Sequence, residues 1–287
     1  MADGRASDGA CDTKAIDPWV NLGMLGGKPP PEWLLRVKED YFKAGDDFLK
    51  DLAPAELIAQ MDEAGVEKAV LSVQLDAPQA SVIECARLYP ERIFLAAVCD
   101  PTEHMKTCWA LEDFAVEQPV VMARVVPFMH DLPPSHRDYY PLYSKCCDLD
   151  LPISINTGIP GPPMPGECQN PMHLDRVCLD FPKLRVCMAH GADPWWAVAI
   201  RLMLKYERLF LMTSAYLPKY FPDELIRFMN TRGQGKILYA SDHPVLSMER
   251  CLEAARGLDL REGVLDKFLR HNAEDLFFAE RQPRGGR

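Results

Sequence analysis

The residues best suited to chemistry stand in or just after short apolar runs. His190 follows the run LRVCMA, and Asp242 comes soon after the run KILYA. An imidazole can donate a proton or polarise a carbonyl group, and a carboxylate can take a proton from water. Arg124, inside the run VVMARVVP, offers a guanidinium that can hold a carboxylate in a bidentate pair. These three side chains predict acid–base chemistry on a small carboxylated substrate.

Further candidates for substrate binding lie near the ends of other predicted strands. They are Trp19, Asn21, Asn156, Tyr216 and His243. Taken singly, each has an ordinary structural explanation, such as a turn at the sequence SDHP or local backbone bonding by an asparagine. Because all are expected at one end of one fold, we predict a shared pocket, bordered by the Pro- and Gly-rich loop 159–171. The chain has no G-x-S-x-G motif, and no cysteine beside a plausible histidine partner, so a Ser or Cys nucleophile is not expected.

Short apolar runs alternate with helical patterns along most of the chain. Strands are predicted at residues 14–20, 69–74, 93–99, 120–127, 152–157, 184–189, 209–213 and 236–240. Connecting helices are predicted at 54–64, 78–89, 105–117, 138–149, 172–181, 194–206, 222–231 and 248–257. An additional helix over 32–43 is inserted after the first strand, and two short helical segments, 261–270 and 272–280, end the pattern.

Eight strands, each followed by a helix, predict parallel strands joined by right-handed crossovers. The strands are continuous apolar runs, as is typical of strands covered on both faces. This pattern favours an α/β fold, a single-domain (β/α)8 TIM barrel over residues 14–280, with flexible tails at 1–13 and 281–287. The alternative, a doubly wound open sheet, usually has a G-x-G-x-x-G turn after its first strand, and that turn is missing here.

Composition and net charge limit the classes of partner that we expect this chain to bind. The chain has 287 residues, is 48% hydrophobic and carries a formal net charge of −10, which argues against general binding to nucleic acid or anionic membranes. It has no apolar run of about 18 residues and no apolar leader segment. The 10 cysteines include no C-x-x-C pair or zinc-finger spacing, and Cys99, Cys178 and Cys187 stand in apolar runs. We therefore expect reduced core cysteines and a cytoplasmic protein.

Several segments resemble the amidohydrolase-related family, which includes metal-dependent hydrolases and decarboxylases such as aminocarboxymuconate semialdehyde decarboxylase. These segments are AELIAQMDEAGVEKAVL (55–71), PLYSKCCDLDLPISINTG (141–158), FPKLRVCMAHG (181–191), KILYASDHP (236–244) and FLRHNAEDLF (268–277). The resemblance covers about residues 15–278. It implies a barrel with its active site at the carboxyl ends of the strands, and a homo-oligomer is common in such proteins.

The chain departs from the family at the metal ligands. In the family, the first strand carries H-x-H, but the matching positions here are Trp19 and Asn21. A third ligand histidine at the end of the fifth strand is replaced by Asn156, and only His190 and Asp242 match the family pattern. Zinc needs three or four protein ligands, so no metal cofactor is expected.

Two functional hypotheses follow from this mismatch. In the first, the chain is a metal-independent enzyme, similar to the family's lactonases of pyrone dicarboxylates. Asp242 would be the general base, His190 the acid or carbonyl polariser, and Arg124 the carboxylate anchor. The favoured reaction is hydrolysis of a lactone, an activated ester or a similar bond in a small carboxylated ring compound. The alternative is decarboxylation, in which a carbon–carbon bond breaks. In the second, the chain is inactive and acts as a ligand-binding or scaffold protein, with Trp19 filling the former metal site.

Overall fold

Eight parallel strands form one sheet whose order follows the chain. A computed structural model of the protein describes residues 13–23, 25 and 29–282, apart from the side chains of residues 46 and 47. The strands are β1 (Ala15–Val20), β2 (Val66–Gln74), β3 (Ile93–Val98), β4 (Val120–Val125), β5 (Ile153–Asn156), β6 (Val186–Ala189), β7 (Leu209–Met212) and β8 (Ile237–Leu238). Each strand pairs in parallel with the next from β1 to β8. The predicted (β/α)8 barrel is confirmed.

Helices alternate with the strands as predicted. They are α1 (Glu32–Arg36), α2 (Pro54–Ala64), α3 (Ala80–Leu88), α4 (Met105–Glu117), α5 (Tyr140–Asp148), α6 (His173–Asp180), α7 (Trp196–Lys205), α8 (Asp223–Met229), α9 (Met248–Arg256) and α10 (Val264–Asp266). The inserted helix begins as α1 and continues with wider π-helical turns over Val37–Phe42. Two further π-helical segments, Lys267–His271 and Glu274–Phe278, follow α10. Most of the predicted tails, at 1–13 and 281–287, lie outside the described residues.

The last strand differs most from the prediction. β8 contains two residues instead of the expected five, 236–240. The backbone N–H of Tyr239 donates to the carbonyl oxygen of Phe268 at 2.9 Å, so the C-terminal segment takes the place of strand pairing. Past this point, Val20 and His243 form one isolated parallel bridge. The barrel is thus joined between β1 and the segment after β8 by loop hydrogen bonds.

Two apolar layers hold the barrel together. The larger layer fills the space between the strands and the surrounding helices. The smaller one contains inward-facing residues of the strands, such as Ile16, Val70 and Met122, together with Leu276 and Phe277 from the C-terminal segment. The strands are therefore covered on both faces, which accounts for their continuous apolar sequences.

The cysteines that the structure describes form no disulfide bonds. Cys99, Cys178 and Cys187 are buried, as expected from their apolar runs, and burial raises the pKa of each thiol. Within the part of the chain that the structure describes, no helix is both long and apolar enough to cross a membrane.

Candidate active site

One cavity holds most of the predicted site residues. Its volume is about 620 Å³, and its lining includes side chains from the carboxyl ends of the strands. The predicted residues that line it are Trp19, Asn21, Arg124, Asn156, His190, Tyr216 and Asp242. His243 is not part of the lining, although it adjoins Asp242 in the sequence. The loop over residues 159–171 contributes to the cavity, as the sequence predicts.

Asp17 connects the first strand to the segment after the last one. Its carboxylate accepts hydrogen bonds from the backbone N–H of Ser241 at 3.0 Å and from the Ser241 hydroxyl at 2.5 Å. It also accepts one from the backbone N–H of Trp19 at 3.2 Å. Burial raises the pKa of Asp17 to about 6, although these hydrogen bonds and Arg124 oppose the rise. Asp17 therefore fixes the segment in which the neighbouring Asp242 stands.

Asp242 presents a buried carboxyl group at the cavity wall. Its backbone N–H donates to the carbonyl oxygen of Trp19 at 3.0 Å, and the side-chain amide of Asn21 donates to its carboxyl group at 3.2 Å. Burial raises the pKa of Asp242 well above its ordinary value, while the charge of Arg124 opposes that rise. The carboxyl group therefore keeps its proton to a higher pH than an exposed aspartate, and it can act as a proton donor.

Arg124 places its guanidinium inside the barrel. The residue is 1% exposed. Its Nη2 donates to the carbonyl oxygen of Pro18 at 3.0 Å, and its Nη1 donates to the hydroxyl of Ser72. Its Cζ lies 3.3 Å from the centre of the Trp19 ring, a cation–π contact. Burial lowers the pKa of Arg124 to about 9, which the carboxyl group of Asp242 partly offsets, so the guanidinium is charged at neutral pH.

His190 lies at a sharp turn after β6. Its φ is 66°, and the φ of the following Gly191 is 67°, so two consecutive residues are left-handed. A Cβ on Gly191 would lie 2.3 Å from the ring of Trp196, which excludes any larger residue there. The tight packing of this turn holds His190 at the end of its strand.

The imidazole of His190 is neutral. Burial lowers its pKa to about 3, and the positive charge of Arg124 adds to this effect. The hydroxyl of Ser214 accepts the backbone N–H of His190 at 3.1 Å and lies 2.9 Å from Nδ1 of the ring. In the tautomer in which this hydroxyl donates its O–H to Nδ1, Nε2 carries the ring proton. A neutral ring of this form is a hydrogen-bond donor for a carbonyl or phenolic oxygen.

The remaining predicted residues differ in their surroundings. Asn156 is 2% exposed, and its Oδ1 has no hydrogen-bond partner among the described residues. Tyr216 packs edge-on against Trp196 with ring centres 5.2 Å apart, and burial raises its pKa to about 12. His243 is buried, neither ring nitrogen has a partner within the described part of the chain, and burial lowers its pKa to about 4. Both histidines are therefore uncharged at neutral pH.

The inserted segment, residues 29–49 between β1 and α2, supplies an apolar wall to the cavity. Its aromatic contributors are Trp33, Tyr41, Phe42 and Phe48. Leu34, Val37 and Phe48 form a small cluster that is separate from the two barrel layers, with Val245 packed against it. The cavity therefore combines a charged interior with an aromatic surface, which suits a flat ring that carries an acidic group.

The donor atoms of this site do not fit a divalent metal ion. Trp19, Asn21 and Asn156 offer no imidazole or carboxylate at three positions where the family resemblance implies ligands. Among the described residues, no three His, Cys, Asp or Glu side chains are grouped so that they could hold a metal. His190 and Asp242 are thus the remaining donors, and a buried guanidinium beside them repels a second cation.

Sequence comparison identifies the family. Residues 16–279 match the amidohydrolase family model. The chain belongs to the amidohydrolase family. The predicted family is thereby confirmed, and the barrel described above is that of a family of enzymes. Among curated protein sequences, none matches the chain.

Solved structures share the fold of this amidohydrolase-family chain. An uncharacterized TIM-barrel protein from Bordetella bronchiseptica has a TM-score of 0.76 and 22% identity, covering 91% of this chain and 97% of that one. A 2,6-dihydroxybenzoate decarboxylase from Rhizobium has a TM-score of 0.67 and 17% identity, covering 91% and 99%. A dihydroxybenzoic acid decarboxylase from Polaromonas sp. JS666, with bound manganese and the inhibitor 2-nitroresorcinol, has the same TM-score and identity, covering 94% and 98%.

Three residues of the site were not selected from the sequence. Asp17 is the single polar residue of the run AIDPWV, Ser72 is the single polar residue of the run AVLSV, and Ser214 follows the apolar run of β7. A charged or hydroxyl side chain inside a strand buried on both faces needs a polar partner. This rule indicates that Asp17, Ser72 and Ser214 each need a polar partner. The partners lie in distant parts of the chain, however, and the local sequence does not identify them.

Proposed function

We propose that this amidohydrolase-family chain is a metal-independent enzyme that decarboxylates a small carboxylated ring compound. The observation that carries the proposal is the buried carboxyl group of Asp242, which lines the same cavity as the guanidinium of Arg124. Decarboxylation of such a ring needs a proton donor at the carbon that loses the carboxyl group, and a positive charge near the oxygen that gains electron density. The raised pKa of Asp242 favours the proton-donor form.

The proposed decarboxylation needs only the substrate, the carboxyl group of Asp242 and one proton from solvent. The carboxyl O–H of Asp242 gives its proton to the ring carbon that bears the carboxylate. The carbon–carbon bond then breaks, its electron pair returns to the ring, and CO₂ leaves. The aspartate regains a proton from solvent, so the net change replaces the carboxylate with hydrogen and consumes one proton.

The other side chains have supporting roles in this proposal. The Nε2–H of His190 donates a hydrogen bond to a ring oxygen and stabilises the charge that develops there. The guanidinium of Arg124 stabilises the same negative charge. Trp19 and Tyr216 offer aromatic surfaces to the ring, and the amide groups of Asn21 and Asn156 bind its polar substituents.

The structural neighbours support the choice of reaction. Two of the similar structures are decarboxylases of dihydroxybenzoates, which are small carboxylated rings. At 17% identity this similarity concerns the fold, so the reaction rests on the chemistry of the cavity.

Hydrolysis of a lactone or activated ester is the second candidate. Two interactions favour it: the amide of Asn21 donates to the carboxyl group of Asp242, and the charge of Arg124 attracts the same group. Both interactions stabilise the ionised form, which a general base for water requires. The two reactions therefore differ in the protonation state of one carboxyl group.

A product assay separates these possibilities. Purified protein, treated with EDTA and then freed of it, is incubated with 2,6-dihydroxybenzoate, 5-carboxyvanillate and a pyrone dicarboxylate lactone. We expect CO₂ release from a carboxylated ring, with a loss of roughly 10³-fold on Asp242→Asn. Ring opening without CO₂ release would support the hydrolase instead. Tight ligand binding with neither reaction would contradict both and leave the ligand-binding hypothesis.

A further inference from the structure

Arg124 interacts with groups in four different parts of the barrel. From β4, its guanidinium bonds to the carbonyl oxygen of Pro18 in β1 and to the hydroxyl of Ser72 in β2. Its charge acts on Asp242 and on His190, which follow β8 and β6. The same positive charge therefore acts on Asp242, to which we assign the proton transfer, and on His190, to which we assign a hydrogen bond to the substrate.

The guanidinium is also held rigidly. One face lies against the Trp19 ring with Cζ 3.3 Å from the ring centre, and two of its nitrogens donate to fixed oxygen atoms. The planar shape of a guanidinium permits the stacking and both hydrogen bonds at once. A charge fixed in this way requires little reorganisation when negative charge develops nearby.

We propose that Arg124, held on the ring of Trp19, is a built-in cation that supplies the positive charge of a divalent metal ion in this barrel and excludes such an ion from the site. The inference rests on the proposed metal-independent function and extends it. Arg124 carries this positive charge. The site therefore repels metal ions, in addition to lacking enough ligands for them.

The contacts of the neighbouring groups agree with this exclusion. The carboxyl group of Asp242 accepts from Asn21, and Nδ1 of His190 is engaged with Ser214. A divalent ion placed between these two groups would share a poorly solvated cavity with Arg124, where the repulsion between like charges is strong. Removal of the guanidinium charge should therefore raise metal affinity once enough ligands are present.

Metal binding to variants tests the exclusion directly. N21H and N156H are combined, which leaves Trp19 in place and adds two imidazoles to His190 and Asp242. Arg124→Met is then introduced into this background, with Arg124→Lys as a matched variant that keeps the charge. Mn²⁺ binding is measured by equilibrium dialysis, and Co²⁺ absorption spectra report inner-sphere coordination.

We expect Mn²⁺ to bind roughly 100-fold more tightly to the Arg124→Met variant than to the Arg124→Lys variant, because only the former removes the repulsive charge. Stoichiometric Mn²⁺ binding to the double-substituted background with Arg124 intact would overturn the inference. Equal affinities of the Met and Lys variants would also overturn it. Neither result depends on enzyme activity, so the proposed decarboxylation is tested separately.

A second measurement covers the case in which the added imidazoles prevent folding. In the otherwise native chain, benzoate binding in the presence of EDTA is measured by calorimetry for Arg124→Lys and Arg124→Met. We expect the Lys variant to bind benzoate at least about ten times more tightly, since it retains the cation. Equal benzoate binding by the two variants would show that Arg124 does not supply the charge.

Discussion

Asp242 and His190 share a backbone conformation as well as a cavity. Each has a φ of 66°, in the left-handed region that non-glycine residues seldom adopt. Such conformations persist where the surrounding structure imposes them, and they often occur at functional sites. Here the imposing contacts are the hydrogen bond from Asp242 to Trp19 and the bond from His190 to Ser214.

The Asp242→Asn variant tests whether Asp242 is the proton donor. We expect activity to fall by roughly 10³-fold, because an amide cannot donate the proton that a carboxylic acid gives. The melting temperature should stay equal or rise, since the substitution removes a carboxyl group whose burial is unfavourable. Activity and thermal unfolding are measured on the same preparations. Unchanged activity would remove Asp242 from the mechanism.

Ser214 tests the orientation of the imidazole. Ser214→Ala leaves the backbone N–H and Nδ1 of His190 without this partner, and we expect about 1–2 kcal/mol of lost stability. The activity should fall roughly ten-fold, because the ring proton is no longer confined to Nε2. Ser214→Thr keeps the hydroxyl and serves as the control. If the Ala and Thr variants are equally active, the hydroxyl does not orient His190.

Among the secondary-structure elements, the contact between β1 and the segment after β8 differs most from what local sequence patterns predict. The sequence predicted both strands, but it predicted β8 as five residues and gave no sign that Phe268 binds Tyr239 instead. Strand length there is set by competition from a distant segment, which local patterns do not show. Asp17 was not chosen as a site residue for a similar reason, since its partner Ser241 lies 224 positions away.

Asp17 should make stability depend on pH. Its pKa is raised from 3.8 to about 6 in the folded chain, so between these values the folded chain holds a proton that the unfolded chain has released. Stability therefore falls as pH rises through this window, by about 3 kcal/mol in total. Urea unfolding of the wild type and Asp17→Asn between pH 4 and pH 7 checks this.

The difference in unfolding free energy between the two proteins is the relevant quantity, because titrating groups that do not interact with Asp17 contribute equally to both. We expect the advantage of the wild type over Asp17→Asn to shrink by about 3 kcal/mol as pH increases, since only the wild type carries this carboxyl group. A difference that is constant with pH would show that Asp17 does not titrate as described.

At the scale of the whole molecule, the barrel was predictable and the reaction was not. Apolar runs alternate with helical patterns eight times along the chain. This alternation predicts a parallel sheet that is covered by helices. Strand ends then placed Trp19, Arg124, His190 and Asp242 around one cavity. The protonation state of Asp242 depends on burial and on Arg124, which only the folded arrangement brings together.

The inserted segment should be less stable than the barrel. Leu34 belongs to a small separate cluster, whereas Leu95 is fully buried in the main core. Leu95→Ala should cost about 2–5 kcal/mol of global stability, and Leu34→Ala less. Hydrogen exchange should show Leu34→Ala exposing mainly residues 29–49, because local opening there need not unfold the barrel. Global loss of protection in that variant would mean that the segment is part of the main folding unit.

The metal content of the wild-type chain tests whether the enzyme works without a metal ion. Protein prepared without chelators is dialysed against Mn²⁺ or Zn²⁺, washed free of unbound ions and analysed for metal by mass spectrometry. We expect far less than one ion per chain, and activity that EDTA leaves unchanged. One firmly bound ion per chain, with activity that EDTA removes and Mn²⁺ or Zn²⁺ restores, would contradict it.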